Sequence, residues 1–460
     1  MNNKAIMSAM LATLPVTAYA QTNFIIILTD DQGYQDVGCY GSPLISTPNL
    51  DRMASDGLRL NSFYVSSSVS SASRAGLLTG QSNTRNGVKG VFWPDSKGMP
   101  SEKVTIAEAL KTAGYATGCF GKWHLGDLDG HLPTDQGFDE YFGIPYSNDM
   151  YIGYTHRFSD NCIFRDGYDI EKAIADQMVV KTSKDKSQLK KELHYASPLF
   201  EGKEIIEYPC DQSTTTYRYF NRAMAFIENN KDKPFFVYLT PAMPHVPLHV
   251  SEQFKGKSKR GLYGDAVEEI DWNIGRLLEY LEEQELSEDT VVIFTSDNGP
   301  WLGMNQDAGS AHPLRDGKFS VYEGGVRTPC IIQWKSKIPE GLVSDTIIAS
   351  IDIYPTLLEL AGIDQSSYDL DGNSLKEFFL NPDAVMPRDE YLYVKDGKVV
   401  GLRNNEWVYL PQTGERYTPK EFEQELFNVK SDIGQKSNVA DQYPEKVLEM
   451  QKLLESRTER

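Results

Sequence analysis

The chain has 460 residues and a formal net charge of -19; 40% of its residues are hydrophobic and 24% are charged. This composition is typical of a soluble globular protein, and the length allows one large domain with an appendage or two to three modest domains. The acidic balance argues against a nucleic-acid-binding protein, which presents a basic face to phosphate, but it leaves an anionic substrate open because a few Arg and Lys side chains can reverse the potential of a pocket.

The first twenty residues match a secretory signal peptide. Lys4 supplies the positive charge, residues 6–16 form a short apolar stretch, and Ala18 and Ala20 fit the small-residue rule for cleavage. The alternative is a buried N-terminal helix. We predict that residues 1–20 are removed and that the mature chain is periplasmic or secreted from a bacterium. No later apolar run is long enough to predict a membrane span.

The cysteine pattern does not indicate a zinc site. Five cysteines occur, an odd number, and no two of them are separated by only two residues. A structural zinc site, which uses closely spaced cysteine pairs, is therefore not expected. Cys162 and Cys210 could form a disulfide in an oxidising compartment, but the sequence leaves this pairing open.

Strand and helix patterns alternate through most of the chain. The β-branched run at 23–29 predicts a strand covered on both faces, as in a parallel sheet. Further strands are predicted at 116–120, 234–240 and 290–296, and helices at 48–57, 103–113, 214–229 and 263–284. This alternation predicts an α/β fold with a mainly parallel sheet.

Two stretches depart from this alternation. Residues 155–212 are charged and less regular, with many lysines at 181–191, and we predict an insertion near the rim of the functional site. After about residue 370, short strands are predicted at 390–394, 398–402 and 406–410, followed by a helix at 442–457. We therefore predict a main domain at 21–369 and, at 370–460, a small α+β subdomain made of an antiparallel sheet and a helix.

Two of the predicted strands end in oxygen-bearing side chains. Asp30 and Asp31 follow the first strand, and Asp297 and Asn298 follow the strand that ends at residue 296. The carboxyl ends of parallel strands meet at one edge, where such sheets bind their ligands. Carboxylate and amide oxygens suit Ca²⁺ or Mg²⁺ better than zinc. The alternative is that these residues only cap turns.

A serine-rich turn leads into a short predicted helix at 70–80 (SSASRAGLLTG). Ser70 would lie at the N-terminus of this helix, where main-chain N–H groups and the helix dipole attract anions. Arg74 would follow one turn later on the same face. The alternative is a capped helix with a surface arginine, and this segment alone does not decide between the two.

The pattern Ser70-x-Ala72-x-Arg74, followed by Leu-Leu-Thr-Gly at 77–80, resembles the signature of the formylglycine-dependent (type I) sulfatase family. The resemblance extends from residue 23 to about residue 360. Within the family, two segments of this chain look most like arylsulfatase A and N-acetylgalactosamine-sulfatases: DNGPW at 297–301 and AGS at 308–310. Other segments match the family's motifs in the same order: GKWHLG at 121–126, GIPYS at 143–147, PHVP at 244–247, and the run at 314–327.

The resemblance implies an alkaline-phosphatase-like fold, with a mixed, mainly parallel sheet flanked by helices and a smaller C-terminal α+β subdomain. It also implies that Ser70 is oxidised to formylglycine (3-oxoalanine). Ser in place of the commoner Cys, and Ala72 in place of Pro, indicate the serine-type route, which needs a radical maturase in the host. The implied cofactor is Ca²⁺, with Mg²⁺ as the alternative, held by Asp30, Asp31, the modified Ser70, Asp297 and Asn298.

The modification has a chemical reason. Attack by a serine would leave a sulfate ester that is hard to hydrolyse. A hydrated aldehyde carries two hydroxyls, so that one attacks sulfur and the other later collapses to the aldehyde and expels sulfate. By the same resemblance, Arg74, Lys122 and Lys318 would neutralise the sulfate oxygens, as cationic clamps do in phosphoryl transfer.

The resemblance also implies roles for the two motif histidines. His245 would protonate the sugar alkoxide, which is a poor leaving group, and His124 would take a proton in the release step. Ser147 matches a serine that contacts sulfate. His312 lies outside these motifs and is a candidate sugar contact, with a structural role at the rim as the alternative.

Two other functions stay open. A phosphatase or phosphodiesterase of the alkaline phosphatase superfamily would share the fold, but two-zinc enzymes need several His ligands and the chain has only seven His. A non-catalytic sulfoglycan-binding protein would keep Ser70 unmodified. We expect a carbohydrate sulfatase that acts on a sulfated oligosaccharide and has no nucleic-acid partner. Galactose or N-acetylgalactosamine is favoured over glucosamine by the resemblance.

Overall fold

The structure, a computed structural model, describes residues 22–381, 384, 388–412 and 424–458. The predicted signal peptide at 1–20 lies outside these residues. Within them, no helix combines the length and the apolar character that crossing a bilayer requires.

The described elements alternate through the main domain as the sequence predicts. The strands are β1 Asn23–Thr29, β2 Leu58–Leu60, β3 Phe63–Tyr64, β4 Ala116–Gly121, β5 Glu140–Gly143, β6 Phe158–Phe164, β7 Leu199–Glu201, β8 Glu204–Tyr208, β9 Phe235–Thr240, β10 Thr290–Ser296, β11 Cys330–Gln333, β12 Leu342–Ser344, β13 Ile348–Ala349, β14 Glu390–Lys395, β15 Lys398–Asn404, β16 Trp407–Leu410 and β17 Glu425–Asn428. The helices are α1 Pro48–Ser55, α2 Ser70–Thr79, α3 Ile106–Lys111, α4 Ile170–Thr182, α5 Lys191–His194, α6 Thr215–Asn230, α7 Leu262–Glu283, α8 Glu323–Val326, α9 Ile353–Leu360, α10 Lys376–Leu380 and α11 Pro444–Thr458.

Eleven strands form one sheet in the order β12-β2-β11-β10-β1-β9-β4-β5-β7-β8-β6. The run β10-β1-β9-β4-β5 is parallel throughout, whereas β11 and β7 are antiparallel to both of their neighbours. The expected mixed, mainly parallel sheet is therefore confirmed.

Helices cover both faces of this sheet, as the apolar run of β1 requires. All seven residues of β1 are buried. Successive side chains of a strand point to opposite faces, so Phe24, Ile26 and Leu28 pack in one core, and Ile25 and Ile27 pack in the other. The first core includes residues of α2, α3 and α9, and the second includes residues of α1, α6 and α7.

Capping explains where a helix boundary differs from the prediction. α3 begins at Ile106 rather than at 103, because the Thr105 hydroxyl accepts a hydrogen bond from the main-chain N–H of Glu108. The Glu108 carboxylate in turn accepts one from the main-chain N–H of Thr105. Hydrophobic periodicity does not show this reciprocal cap. The strand predicted at 290–296 is confirmed with the same bounds as β10.

The interpretation of residues 155–212 as an irregular insertion is wrong in one respect. They contain β6, β7 and β8, which extend the main sheet beyond β5. β6 is the outermost strand and all of its residues are half-buried or exposed, so no apolar run marks it in the sequence. Cys162 lies in this strand and Cys210 lies just after β8. Across the described residues, which include all five cysteines, no disulfide is present.

The C-terminal residues form a second, four-stranded antiparallel sheet, β14-β15-β16-β17, with α11 packed on it. The three strands and the helix predicted there are confirmed. β17 is an additional strand of four residues that pairs with β16, for example Trp407 opposite Asn428. A segment so short has no alternation to detect. The domain boundary between 369 and 370 stays a prediction.

A buried carboxylate joins this second sheet to the main domain. Glu323 of α8 accepts hydrogen bonds from the hydroxyls of Tyr64 (2.6 Å) and Tyr393 (2.5 Å). It also pairs with Arg327 at 3.1 Å and Arg403 at 2.9 Å. Burial alone would raise the pKa of Glu323, but Arg403 and Arg327 outweigh it and hold the pKa below its ordinary value. Because Tyr393 and Arg403 belong to β14 and β15, whereas Tyr64 belongs to β3 and Glu323 to α8, the cluster connects the C-terminal sheet to the main domain.

Replacing Glu323 with glutamine is expected to lower the free energy of unfolding by about 3 kcal/mol, because two buried arginines lose their charge partner. Equilibrium unfolding in denaturant measures this change. Glu228→Gln is the matched control, since the ion pair of Glu228 with Lys231, the residue after α6, is exposed and its loss should leave the unfolding midpoint nearly unchanged. Equal shifts for the two variants would contradict a bridging role for the Glu323 cluster.

Candidate active site

The parallel strands β10, β1, β9 and β4 direct their carboxyl ends to the same edge of the sheet. The segments that leave this edge carry six residues that the sequence singled out: Asp30 and Asp31 after β1, Lys122 after β4, His245 after β9, and Asp297 and Asn298 after β10. Each of them is at most 3% exposed. We call these six residues, together with Ser70, Arg74 and Lys318, the central cluster.

Ser70 is the first residue of α2 and contacts this cluster. Extended backbone at Val69 (φ -140°, ψ 144°) precedes the helix. Ser70 Oγ lies 3.4 Å from Asp30 Oδ1, 3.3 Å from Asn298 Oδ1 and 3.5 Å from Lys122 Nζ, and the residue is 1% exposed. The structure therefore has Ser70 at a helix N-terminus, as predicted, and in direct contact with both acidic strand ends.

Arg74 is fully buried one turn later, so the alternative of a surface arginine is wrong. Its Nε donates to Asp297 Oδ2 at 3.0 Å, and Nη1 donates to the Lys122 carbonyl at 2.9 Å. Nη2 lies 2.9 Å from Asp297 Oδ2 in the ion pair but completes no hydrogen bond with the described residues. Burial alone would lower the pKa of Arg74, but Asp297 and Asp30 raise it. Arg74 is thus a permanent cation with one donor still available.

Two lysines pair with the carboxylates that follow β1. Lys122 Nζ lies 2.5 Å from Asp30 Oδ2 and 3.4 Å from Ser147 Oγ. Lys318 Nζ lies 2.7 and 2.8 Å from the two Asp31 oxygens. Burial alone would raise the pKa of Asp30, but Lys122, His245 and Arg74 together outweigh burial and hold the pKa below its ordinary value, so the carboxyl stays ionised. Burial alone would lower the pKa of Lys318, but the carboxylates of Asp31, Asp30 and Asp297 together outweigh burial and raise the pKa, so the amine stays charged.

The two motif histidines differ in their surroundings. His245 Nε2 lies 3.6 Å from Asp31 Oδ2. His124 Nε2 lies 3.1 Å from the Phe92 carbonyl, which can only accept, so Nε2 carries the proton and Nδ1 keeps its lone pair. Nδ1 of His124 has no hydrogen-bond partner among the described residues. Burial, reinforced by Lys122, lowers the pKa of His124 well below its ordinary value. His124 is therefore a neutral imidazole with an available acceptor.

His312 is separate from the central cluster. It lines a pocket of about 470 Å³ together with Arg260, Leu302 and Asp316. Two lining residues are close in sequence to residues of the site, since Leu302 follows Asn298 by four residues and Asp316 precedes Lys318 by two residues. The structure thus brings Ser147 to the cluster, whereas His312 lines a pocket whose lining includes no residue of the cluster.

Two further residues of the site were not singled out from the sequence. The Trp301 ring lies 5.9 Å from the His245 ring and 5.2 Å from Lys318 Nζ. Asn148 Oδ1 lies 3.1 Å from His245 Nδ1. Trp301 ends the DNGPW segment and Asn148 follows a predicted substrate contact. This adjacency in the chain is the signal that could have identified them.

The chemistry of the central cluster fits a hard divalent cation. Ligand atoms of Asp30, Asp31 and His245 lie within 4.8 Å of one another. With Asp297 and Asn298 the site offers three carboxylates and an amide oxygen, a donor set suited to Ca²⁺ or Mg²⁺. The three carboxylates face three cations, one arginine and two lysines, so a bound divalent ion would make the site positive. A positive, buried site suits an anion such as a sulfate group.

Comparison with known proteins identifies the family. The family model described as Sulfatase matches residues 22–363, which is most of the chain. A second model, described as N-sulphoglucosamine sulphohydrolase, C-terminal, matches residues 311–459.

Individual relatives agree with this match. Arylsulfatase G of Homo sapiens is 36% identical over 358 residues, which cover 74% of this chain and 65% of that protein. N-acetylgalactosamine-6-sulfatase of Canis lupus familiaris is also 36% identical over 358 residues, covering 74% of this chain and 62% of that protein. The chain thus matches less than two thirds of the length of either relative.

The fold is shared with solved structures over nearly the whole chain. Ps i-CgsB, solved in complex with k-i-k-neocarrahexaose, is 30% identical with a TM-score of 0.75, and the match covers 95% of this chain and 93% of that one. The expected alkaline-phosphatase-like architecture with its C-terminal subdomain is therefore confirmed. Because the family model spans most of the sequence and its motif residues meet at one edge of the sheet, this chain belongs to the sulfatase family.

Proposed function

We propose that this protein hydrolyses sulfate esters of saccharides, with residue 70 as the nucleophile in its formylglycine form. The observation that carries the proposal is the position of Ser70, buried at a helix N-terminus within 3.5 Å of Asp30, Asn298 and Lys122. Membership of the sulfatase family supports the reaction. As a hydrated aldehyde, residue 70 supplies one hydroxyl for attack on sulfur and a second for the release of sulfate.

We further propose Ca²⁺ as the resident ion, with Mg²⁺ as the alternative. Asp30, Asp31, Asp297 and Asn298 would hold it, together with the modified Ser70. When bound, such an ion lowers the pKa of an attacking hydroxyl and draws charge from a sulfate oxygen. The predominance of oxygen donors in the central cluster supports this choice over zinc.

Three cations of the cluster would bind the sulfate oxygens. Arg74, Lys122 and Lys318 are buried and already paired with carboxylates, so they need little reorganisation when charge develops on the transferring sulfuryl group. The unused Nη2 donor of Arg74 supports this role. Ser147 Oγ, which lies 3.4 Å from Lys122 Nζ, is proposed as a further substrate contact.

The two histidines would share the proton transfers. His245 is the proposed general acid, because its Nε2 lies 3.6 Å from Asp31 Oδ2, among the cations proposed to bind the sulfate group. It would give its proton to the sugar oxygen as the S–O bond breaks. His124, a neutral ring with an available Nδ1, is the proposed base that takes a proton when sulfate is expelled.

The pocket lined by His312 is the proposed place for the sugar. His312 and Arg260 supply polar groups and Leu302 supplies an apolar face, a combination that suits a ring with hydroxyl and C–H surfaces. Arg260 is held at the pocket wall because its guanidinium donates to the carbonyls of Gln306 and Ala308. His312 is therefore proposed as a sugar contact.

We propose a sulfated oligosaccharide as the substrate, with sulfate on galactose or N-acetylgalactosamine. The names of two similar proteins, an N-acetylgalactosamine-6-sulfatase and a structure bound to a neocarrahexaose, support this class. Ser70 and Ala72 support maturation by a radical maturase of the serine-type route, and the first twenty residues support export to the periplasm or beyond.

Matured enzyme is expected to release sulfate from sulfated galactose or N-acetylgalactosamine saccharides faster than from sulfated glucosamine saccharides. Ion chromatography of free sulfate measures this across a panel of defined compounds. The matching phosphate esters, assayed with added zinc, form the control. Faster turnover of phosphate esters would favour a phosphatase, and activity on glucosamine sulfates alone would overturn the proposed sugar preference.

A further inference from the structure

Two buried amides lie behind the proposed acid His245. Asn148 Oδ1 lies 3.1 Å from His245 Nδ1, and Asn148 Nδ2 donates to Gln212 Oε1 at 3.0 Å. Asn148 and Gln212 are 1% and 7% exposed, so water does not replace these contacts. Neither amide contacts Ser70 or the carboxylates after β1 and β10. The three side chains come from different segments: the loop after β5, the turn after β8 and the loop after β9.

Main-chain carbonyls determine how both amides are oriented. Gln212 Nε2 donates to the carbonyls of Asn148 at 3.1 Å and Tyr195 at 3.5 Å, so Gln212 Oε1 must face Asn148. Asn148 Nδ2 donates to Gln212 Oε1 and to the Pro247 carbonyl at 2.9 Å. Asn148 Oδ1 is therefore the atom left to face the imidazole of His245.

This orientation also settles the proton on one nitrogen of His245. Nδ1 faces two acceptors, Asn148 Oδ1 at 3.1 Å and the Val246 carbonyl at 2.5 Å. A nitrogen between two acceptors must carry a hydrogen, so Nδ1 is a donor in either charge state of the ring. Nε2, which lies on the Asp31 side, is then the nitrogen that can exchange a proton with a substrate.

We propose that Asn148, held by Gln212, is a positioning residue that orients His245 so that Nε2 delivers the proton to the leaving alcohol. The inference rests on the proposed function and adds a residue to it. As the nucleophile's oxygen bonds to sulfur, the electron pair of the breaking S–O bond goes to the sugar oxygen. That oxygen takes the proton of Nε2, and the alcohol leaves neutral, with the ring still bearing its Nδ1 hydrogen. Partners of this kind, which hold the second ring nitrogen, commonly set the tautomer and angle of a working histidine.

The test uses the leaving group as the readout. Asn148→Leu keeps the side-chain volume but removes the acceptor. With a sugar sulfate, kcat is expected to fall by roughly 10²-fold with little change in KM, because a general acid acts in the transition state. With 4-nitrophenyl sulfate, whose phenolate leaves without a proton, kcat is expected to fall by less than about threefold. Retained aryl sulfate turnover also shows that the variant is folded and matured.

Two further variants separate positioning from general damage. Asn148→Asp keeps an acceptor for the Nδ1 hydrogen but loses the donor that binds Gln212 and the Pro247 carbonyl, so it is expected to restore the sugar sulfate turnover in part. Asn273→Leu removes a fully buried amide of α7 that donates to the Glu269 carbonyl. It is the control for general damage and should change the turnover of the two substrates by the same factor. Mass spectra of the residue 70 peptide should show equal conversion in all variants.

Equal losses of kcat with the two substrates in Asn148→Leu would overturn the inference and leave the proposed function intact. Unchanged turnover of both substrates would overturn it as well. If the protein without substitutions, with residue 70 fully converted, released sulfate from neither substrate, that result would instead contradict the proposed function itself.

Discussion

Alanine at position 70 is expected to lower sulfate ester turnover by roughly 10⁴-fold or more, the scale seen when a nucleophile is removed from a covalent mechanism. The residue begins α2, and its Oγ is the atom that lies between Asp30 and Asn298. The cations of the site would still bind the sulfate group, so we expect kcat to fall far more than affinity for the substrate. Sulfate release and calorimetric substrate binding measure the two effects separately.

The comparison needs a matched serine and a check on maturation. Ser73→Ala changes another buried serine of α2, one turn from the proposed nucleophile, and should alter kcat by less than about threefold. Protein from a host with the maturase should give a residue 70 peptide lighter than the serine form by two hydrogen atoms. Full turnover by the alanine variant, or an intact serine in active protein from such a host, would contradict the mechanism.

Removal of the metal is expected to reduce turnover by roughly 10²-fold or more, because charge that develops on the nucleophile and sulfate would lose its strongest counter-charge. Chelation should also lower the melting temperature, since an ion that binds only the folded state adds about 2.7 kcal/mol of stability at a hundred times its Kd. Without the ion, the negative charges of Asp30, Asp31 and Asp297 would be balanced only by their arginine and lysine partners.

Re-addition of single ions distinguishes the proposed cofactor from its rivals. Ca²⁺ is expected to restore turnover and melting temperature most fully, and Mg²⁺ to a smaller extent, because three carboxylates and an amide oxygen suit the larger oxygen-binding ion. Asp31→Asn is the matched variant, and it should weaken the response to Ca²⁺ while leaving the fold intact. Undiminished turnover in protein shown by elemental analysis to be metal-free would contradict the proposal.

The local pattern predicted four fully buried strands of the main sheet, β1, β4, β9 and β10, and left the other seven strands of that sheet unassigned. β10 was predicted with its observed bounds and β1 with its observed start, because an apolar run buried on both faces has a clear signal. β6 was missed because an outermost strand faces solvent and carries mixed residues. β17 was missed because a strand of four residues is too short to show a pattern of its own and is defined by its pairing with β16. Burial supplies the pattern, so partly buried strands carry a weak one.

The candidate site shows the same division. Motif spacing identified Ser70, Arg74 and the acidic strand ends, and the order of the parallel strands then made their meeting at one edge predictable. The contact between Lys318 and Asp31 could not be derived from their spacing, since 287 residues separate them and its geometry depends on the path of a long loop. The position of His312, which lies in the same loop between β10 and β11, could not be derived from spacing either.

The sequence by itself determined which chemistry the chain can carry: a serine motif, two acidic strand ends, and basic and imidazole groups in a recognisable order. Only the tertiary structure decided that Arg74 is a buried cation rather than a surface one, and that the Asn148 amide, bound by Gln212, lies against the imidazole of His245. The reason is physical. A strand or helix is encoded by its own periodicity, whereas a hydrogen-bond partner depends on how distant loops meet, and no local pattern records that meeting.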